Sequence, residues 1–373
     1  MSSDSNISSR LTPVSARIER RVHQVICKIN EKYKCKSQKL NSPNLAVIGA
    51  FHGTNVGDNT LGLSILNNLA NQQNKNLSGG LQNFYNLQEW VTCEYNICAG
   101  GATGVETNLD RLIKRSRISP RKTALIGMDF SGDVDSFSDD ILSFLNSVSF
   151  LSCRSKRQAD SLSSILGREV IYHPDNAFAY SFLKKDLKSI QDSEGKTKIL
   201  GFNSLPFFTF LLKDRFKFGS LLEDWYRKMG SDIVEYVNLL GPAYIKLIAE
   251  TIKEYSKQGW KIVHIPFTPE DDLFARTFFD QELVYFYKYR SSPNKVFNLV
   301  KKCDLFIPTR YHALIFSLIG QVPCIPILYA VKCSDLLDDL GIPKELGINR
   351  MELVSKQDNP QLKLLDYSQA ITI

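Results

Sequence analysis

The residues with the clearest chemical content lie at Pro308-Thr-Arg-Tyr-His-Ala313, where a short apolar run ends and an apolar helical pattern begins. An arginine guanidinium offers a planar fork to a carboxylate or a phosphate, and a histidine exchanges a proton near neutral pH. At the N-terminus of a helix, Arg310 and His312 would form an anion site that contains its own acid or base. The spacing therefore predicts chemistry on a small anionic substrate.

A second cation follows the next apolar run of the chain, in Leu328-Tyr-Ala-Val-Lys332. Side chains that follow buried parallel strands emerge at one edge of a sheet, so Tyr329 and Lys332 should lie near Arg310. They would supply a further contact to an anion. The alternative is a solvated surface lysine.

A glycine-rich turn, Gly53-Thr-Asn-Val-Gly-Asp58, connects an apolar run to an amphipathic stretch in the N-terminal half. Its backbone N–H groups and the start of the following helix would hold an anion. The turn matches neither G-x-G-x-x-G nor the phosphate loop that ends in Gly-Lys-Ser/Thr, which disfavours a nucleotide site. Asn55, Gly57 and Asp58 are candidate substrate contacts, and Asp58 is also a candidate base. The alternative is a tight turn in which Asp58 or Asn59 caps a helix.

Two adjacent glycines, Gly100 and Gly101, follow another apolar run and indicate a close approach of backbone at the end of a strand. They are candidate substrate contacts at that edge. Glu106 comes soon after them and is a second candidate general base. A solvated carboxylate is the alternative for Glu106.

Two further acidic positions are interpreted mainly as structural. Asp175, in His173-Pro-Asp-Asn-Ala177, follows a predicted strand, and orienting another side chain is its alternative role. The pair Asp271-Asp272 follows Pro266-Phe-Thr-Pro269 and is interpreted as a helix cap, with a contact to an acceptor sugar as the alternative.

The elements that must position these residues alternate between short apolar runs and amphipathic stretches, the pattern of parallel sheets covered by helices. The predicted strands are Leu45–Phe51, Tyr95–Ala99, Thr123–Gly127, Ser149–Cys153, Val170–Tyr172, Lys196–Phe202, Gly259–Ile265, Leu305–Ile307 and Pro323–Leu328. The chain becomes polar and charged around residues 184–198, which indicates a domain boundary near residue 195. We therefore predict an N-terminal helical extension over 1–44, one α/β domain over 45–195, and a second over 196–373 that includes a C-terminal tail.

Size and composition agree with two α/β domains. The chain has 373 residues, of which 43% are hydrophobic and 23% charged, so it can bury an ordinary core. No apolar run approaches the roughly 20 residues of a membrane span, and the N-terminus lacks the apolar core of a secretory signal, so a cytoplasmic protein is expected.

The net charge indicates which classes of binding partner to expect, and the cysteine spacing indicates whether a metal site is expected. The net charge of +7 is scattered, which favours small anions or an anionic surface and does not indicate nucleic acid. The eight cysteines form no C-x-x-C pair and no Cys/His cluster, so no metal site is predicted.

Three groups of residues, taken in order, resemble the polysaccharide pyruvyl transferase family over about Ala46 to Leu340. They are Asn55-x-Gly57-Asp58 with the helix that follows; Cys153-Arg154-Ser155 through Leu166-Gly167 to Pro174-Asp175; and Thr309-Arg-Tyr-His312 through Gly320-x-x-Pro323 to Tyr329-x-x-Lys332. The third group is the most specific, because its three elements occur in order at the family spacing.

The resemblance implies two Rossmann-like domains that face each other across a cleft, as in GT-B glycosyltransferases, with the acceptor on the N-terminal side and the donor on the C-terminal side. It implies transfer of a pyruvyl group from phosphoenolpyruvate to sugar hydroxyls, giving a ketal, without any cofactor. The acceptor would be a sugar or glycan, free or lipid-linked, and a peripheral contact with a membrane stays open.

In that chemistry Arg310 would clamp the donor carboxylate or phosphate. His312 would be the general acid or a phosphate ligand, and Lys332 a supporting cation. Asp58 or Glu106 would take the acceptor proton. The resemblance also places Arg154 among the substrate-binding residues.

One position departs from the family pattern. Many members carry an arginine after the first strand of the second domain, where this chain has Phe202-Asn203-Ser204, and Arg215 and Lys217 are the candidate replacements. Two other functions therefore stay open. One is a nucleotide-sugar glycosyltransferase of the GT-B type, since a fold does not fix a function. The other is a diverged relative that binds a glycan without catalysis.

Overall fold

Two parallel sheets with helices on their faces form the framework of the protein. The computed structural model describes residues 45–50, 55–71, 79–83, 93–101, 104, 106–116, 118–130, 134, 137–180, 182, 197–206 and 231–355. The predicted extension over 1–44 and most of the predicted tail lie outside these residues.

The first sheet has six strands, and every pairing in it is parallel. Its strands are β1 (Leu45–Gly49), β2 (Gly79–Asn83), β3 (Tyr95–Cys98), β4 (Thr123–Met128), β5 (Phe150–Cys153) and β6 (Ile171–Tyr172), in the spatial order β2-β1-β3-β4-β5-β6. The helices between them are α1 (Val56–Asn71), α2 (Glu106–Ser116), α3 (Asp139–Ser147) and α4 (Lys156–Leu166). Every residue of β1 is buried, as expected of an inner strand with helices on both faces.

The second sheet has four parallel strands in the order β10-β7-β8-β9. They are β7 (Ile199–Phe202), β8 (Lys261–His264), β9 (Val284–Phe286) and β10 (Leu305–Ile307). A separate parallel pair joins β11 (Ile327–Leu328) to β12 (Ile348–Asn349). The helices of this half are α5 (Ser231–Lys257), α6 (Pro269–Phe278), α7 (Pro293–Val300), α8 (Tyr311–Gly320), α9 (Val331–Asp339) and α10 (Arg350–Ser355).

One hydrophobic core joins the two halves. Val56 and Leu61 of α1 belong to the same buried cluster as Phe267, Val296 and Phe316 of the second half. The backbone N–H of Val56 also donates to the carbonyl of Phe267 at 3.1 Å. The first turn of α1 is therefore fixed against the second sheet.

A polar contact joins the halves a second time, between the start of α4 and α9. The hydroxyl of Ser155 donates to Asp335 at 3.1 Å, and Arg157 pairs with the same carboxylate at 3.0 Å. These contacts hold the start of α4 against α9.

Both sheets reverse their strand order next to their first strand. In the first sheet, β1 lies between β2 and β3; in the second, β7 lies between β8 and β10. In parallel α/β sheets the crevice at such a reversal, beyond the carboxyl ends of the strands, is where ligands bind. The candidate residues Asn55 to Asp58 follow β1, and Arg310 follows β10, so each reversal carries part of the predicted site.

The sequence does not predict β2, β9 and β12, whereas the other strands agree with the prediction within a few residues. The exposed Tyr285 in β9 breaks the all-apolar pattern of an inner strand. Helix α5 contains Pro242 in its interior.

Within the described part of the chain, no helix is both long enough and apolar enough to cross a membrane.

Candidate functional site

Four helices present their amino ends to one region between the sheets. They are α1, α4, α8 and α9, and the side chains at their first turns are near one another in space. The guanidinium carbon of Arg154, just before α4, lies 4.2 Å from the ring centre of Tyr311 at the start of α8. The Nζ atom of Lys332 in α9 lies 5.8 Å from the same ring. The partial positive charge of helix amino ends favours an anion in this region.

Gly57 of α1 lies directly against His312 of α8. A Cβ atom added to Gly57 would overlap the imidazole ring, so only glycine fits here beside an unmoved His312. The N–H of Gly57 donates to the side chain of Asn55 at 3.0 Å, which closes the turn that begins α1. The predicted pair Asn55 and Gly57 thus shapes the wall behind His312.

His312 is buried, and its Nε2 atom has no hydrogen-bond partner within the described residues. A carboxylate oxygen, Oδ2 of Asp175, lies 3.8 Å from this nitrogen. Burial lowers the pKa of His312 to about 4, although Asp175 opposes that shift. The imidazole is therefore neutral at pH 7, and a nearby anion would raise its pKa.

Arg310 is held by Asp271 through a forked contact. Its Nε atom donates to both carboxylate oxygens, at 2.8 and 2.7 Å, and Nη2 donates to Asp271 at 2.6 Å and to Thr268 at 3.1 Å. Burial opposes the charge of Arg310, but the contact with Asp271 outweighs it and the pKa of Arg310 stays above its usual value. Within the described residues only Nη1 lacks a partner, so most of the predicted fork is already used by the protein.

Asn203, the residue at the departure from the family pattern, braces this same pair. Its side-chain oxygen accepts from the N–H of Arg310 at 2.9 Å, and its amide nitrogen donates to Asp271 at 3.3 Å. Asn203 is fully buried. The prediction that Asp271 caps a helix is confirmed, because Asp271 and Thr268 form a reciprocal capping box at the start of α6.

We expect Asp271→Asn to destabilise the fold by about 3–5 kcal/mol, because it leaves the buried Arg310 charge unpaired. The adjacent Asp272 is the matched control, since it makes an (i, i+4) pair with Arg276 in which both side chains are partly exposed. Asp272→Asn should cost about 0.5 kcal/mol. Urea unfolding of both variants measures the difference, and equal losses would contradict the assignment of Asp271 as the buried partner.

Arg154 lies in a buried network and is not open to ligand through most of its atoms. It donates to Asp129, and to Asp175 at 2.9 Å, and its pKa lies well above the usual value because the two aspartates outweigh the cost of burial. Its Nε atom is buried without a partner in the described part of the chain. Since Asp175 also approaches His312, Arg154 fixes the carboxylate beside the imidazole.

Asp58 and Lys332 complete the region. Burial raises the pKa of Asp58 to about 6, although the positive charges of Lys332, Arg310 and Arg154 act in the opposite direction. The Nζ atom of Lys332 lies 5.4 Å from the ring centre of Tyr329. Lys332 forms no ion pair with any described residue, so among the three cations it is the one whose charge is left for a ligand.

Gly100 and Gly101 pack against parts of the protein itself. Both have positive φ angles, of 70° and 72°, and a Cβ on Gly100 would overlap the carbonyl of Gly127. Gly101 accepts a hydrogen bond from the N–H of Asp129 at 3.1 Å. Both glycines are buried, and they place the Asp129 that pairs with Arg154; the predicted contact with substrate stays a prediction.

Several sequence candidates cannot be placed in the site. Arg215 and Lys217 lie outside the described residues, and Glu106 begins α2 with its side chain outside them. Two residues that belong to the site, Asp129 and Tyr311, were not predicted from the sequence. Asp129 follows directly after β4, at the same sheet edge as the other candidates, and that position was a usable signal.

A family model described as polysaccharide pyruvyl transferase matches residues 135–330, more than half of the chain. The match includes Arg154, Asp175, Arg310, His312 and Tyr329. No curated protein matches the sequence.

Among solved structures, S. aureus MnaA with UDP matches at 11% identity and a TM-score of 0.53, over 88% of this chain and 91% of that one. The Methanocaldococcus jannaschii UDP-GlcNAc 2-epimerase in complex with UDP-GlcNAc and UDP matches at 10% identity and a TM-score of 0.50, over 88% and 94%. At these identities the likeness establishes the fold alone: two Rossmann-like domains of the GT-B type.

Proposed function

The chain belongs to the polysaccharide pyruvyl transferase family, and on that premise we propose that it transfers a pyruvyl group from phosphoenolpyruvate to the hydroxyls of a sugar or glycan. The observation that carries the proposal is the buried His312, whose Nε2 atom has no hydrogen-bond partner among the described residues. It lies near four helix amino ends and near Lys332, which forms no ion pair with any described residue. A small polyanion that can accept a proton is the natural substrate of such a site.

The donor would be held mainly by Lys332, by Nη1 of Arg310 and by helix amino ends. The ion pairs of Arg154 with Asp129 and Asp175, and of Arg310 with Asp271, set two positive against three negative formal charges, so these groups add no net positive charge to the site. Binding of phosphoenolpyruvate would therefore raise the pKa of the nearby His312 from its value of about 4. His312 would gain its proton together with the donor, so the acid forms when the substrate is present.

The reaction balances with these groups alone. Protonated His312 delivers a proton to the methylene carbon of the donor, which becomes a methyl group, and the adjacent carbon becomes an oxocarbenium centre. One sugar hydroxyl forms the first C–O bond as its proton passes to Asp58. A second hydroxyl then replaces phosphate at the same carbon, and its proton leaves with the phosphate. The product is a cyclic ketal and inorganic phosphate.

The substitution of Asn203 for the family arginine is compatible with this proposal. Asn203 holds the backbone N–H of Arg310 and the carboxylate of Asp271, so it supports the donor-side cation. We therefore assign Asn203 a positioning role and Lys332 the larger share of donor binding.

The proposal is tested by phosphate release from phosphoenolpyruvate, measured across a panel of free, nucleotide-linked and lipid-linked sugars. We expect acceptor-dependent release, and Arg310→Lys should lower it about tenfold to thirtyfold, because lysine keeps the charge but loses the forked contact with Asp271. Arg121→Lys, at an exposed site in the first domain, is the control and should leave the rate unchanged.

A second function is favoured only by the fold, since the two solved structures described above contain UDP. A nucleotide-sugar transferase would be protected from thermal unfolding by UDP and not by phosphoenolpyruvate. That result, together with the absence of phosphate release across the panel, would overturn the pyruvyl transfer proposal.

A further inference from the structure

A cavity of about 730 Å³ lies beside the edge strand β9, between that strand, its following loop and α7. We call it the β9 pocket. Five cationic side chains line it and, among the described residues, no carboxylate does; they are Arg276, Lys288, Arg290, Lys295 and Lys302. Its volume lies within the range of small-ligand sites, and the pocket is open to solvent.

Most of this positive charge is not neutralised by the protein. Arg276 pairs with Asp272 at 2.8 Å. Lys288, Arg290, Lys295 and Lys302 form no ion pair with any residue in the described part of the chain, and all four are exposed. Converging like charges repel one another, and an oligoanion in the pocket would relieve that repulsion.

Aromatic rings form another part of the wall. Tyr285 is 55% exposed, and its ring stands edge-on to that of Tyr287, with centres 4.9 Å apart. The guanidinium carbon of Arg276 lies 5.0 Å from the ring centre of Phe286, so this cation is held against the wall. A pocket that combines apolar ring faces with cations suits a ligand that carries acidic groups on a ring skeleton.

The position of the β9 pocket relates it to the candidate site. Tyr287, Lys288 and Arg290 follow the carboxyl end of β9, the same edge of the sheet at which Arg310 follows β10. Three strand spacings separate β9 from β10, which is roughly 14 Å. Helix α6 links the two places, since Asp271 in its first turn holds Arg310 and Arg276 in its last turn lines the pocket.

We propose that the β9 pocket binds an acidic carbohydrate, a sugar chain that bears carboxylate or phosphate groups. A ligand that reaches this pocket while its reacting hydroxyls lie near His312 would be an extended acceptor. That role as acceptor rests on the proposed function, whereas the binding itself does not.

Isothermal titration calorimetry on the full chain tests the proposal without any turnover. The probes are tetragalacturonate for the carboxylate form, glucose 1,6-bisphosphate for the phosphate form, and maltotetraose as the neutral comparison. We expect at least one acidic probe to bind at least about tenfold more tightly than maltotetraose, and to weaken as salt rises from about 50 to about 300 mM. Whichever acidic probe binds identifies the acidic group that the pocket accepts.

The double variant Lys288→Gln/Arg290→Gln locates the binding. It should weaken the acidic probe at least about tenfold, because two charge-assisted contacts are lost. Lys253→Gln/Lys257→Gln, which removes two exposed charges from α5, should leave binding unchanged. Binding that both double variants affect equally, or that neither affects, would overturn the proposal.

Two further binding measurements distinguish an acidic carbohydrate from other ligands of the β9 pocket. Inorganic pyrophosphate that binds as tightly as the acidic sugars would show a site for bare anions, and a phosphatidylserine vesicle that requires Lys288 and Arg290 while no sugar binds would show a membrane-facing surface. Either result would overturn the proposal. Phosphate release is measured separately. Acidic sugar binding with no phosphate release from any acceptor of the panel would contradict the proposed function and leave the proposal for the β9 pocket standing.

Discussion

Asp58→Asn should lower kcat/KM for phosphate release by about two to four orders of magnitude, because it removes the group proposed to take the acceptor proton. At saturating donor, where His312 carries its proton, kcat of the wild-type protein should show a rising limb with a midpoint at about 6 or above, since burial raises the pKa of Asp58 to about 6, the donor anion acts in the same direction, and only the ionised form is a base. The variant should lack that limb. Steady-state rates from about pH 5 to about pH 8 measure both effects.

The same substitution should make the protein more stable, which separates a catalytic role from a structural one. The folded protein binds the Asp58 proton more tightly than the unfolded chain does. The contribution of this proton to the free energy of unfolding is therefore fully present below about pH 3.8 and is lost as the pH rises through about 6. At pH 7 the ionised carboxylate carries a desolvation cost that asparagine lacks, up to about 3 kcal/mol.

Asp139→Asn is the matched control, because Asp139 also lies in the first turn of a helix but is exposed. It should change neither the rate nor its pH dependence. A fall in both activity and stability for Asp58→Asn would instead identify Asp58 as a structural cap, and the base would have to be sought elsewhere.

Gly57→Ala should lower activity about a hundredfold and destabilise the protein by about 2–3 kcal/mol. The added methyl group would overlap the ring of His312, and either the imidazole or the first turn of α1 must move. A displacement of about 1 Å at a reacting group is enough for a loss of this size in rate. Urea unfolding and phosphate release measure the two effects.

Gly320→Ala is the control for a smaller overlap, since a Cβ there would lie 3.2 Å from a side-chain carbon of Lys301 and 3.3 Å from one of Val322, contacts that a small side-chain shift relieves. A second variant isolates the cause. In Gly57→Ala/His312→Ala the methyl group occupies the space that the imidazole left, so stability should recover while activity stays lost. Recovery of neither, or of both, would contradict the assigned contact between Gly57 and His312.

Much of the candidate site can be predicted from the sequence, because the residues that follow parallel strands all lie at the same edge of the sheet. That rule predicts that Arg310, His312, Tyr329 and Lys332 lie together, and the inner strands are apolar enough to be recognised directly. The sequence does not predict β9, because its exposed Tyr285 interrupts the apolar pattern, or β2, because its sequence Gly-Gly-Leu-Gln-Asn contains a single large apolar residue.

The pairings inside the site could not be predicted in the same way. Asp271 lies 39 residues before Arg310, and Arg154 lies 25 residues after Asp129, so no local pattern relates the partners. In the sequence, an arginine that follows a strand has the same pattern whether its guanidinium is free for a ligand or is paired with a buried carboxylate. The sequence pattern predicts that the guanidinium of Arg310 is free to bind a ligand. In the structure, Nη1 is its one nitrogen without a partner among the described residues.

The apolar core that joins α1 to the second sheet has a mechanical meaning. Val56, Leu61, Phe267 and Phe316 belong to one buried cluster, so the two halves cannot swing apart without exposing that cluster to water. This packing consequently holds the helix amino ends of both halves in one preformed arrangement. A bound anion that contacts the helix amino ends of both halves would stabilise the folded state of each. The two halves are therefore expected to unfold together.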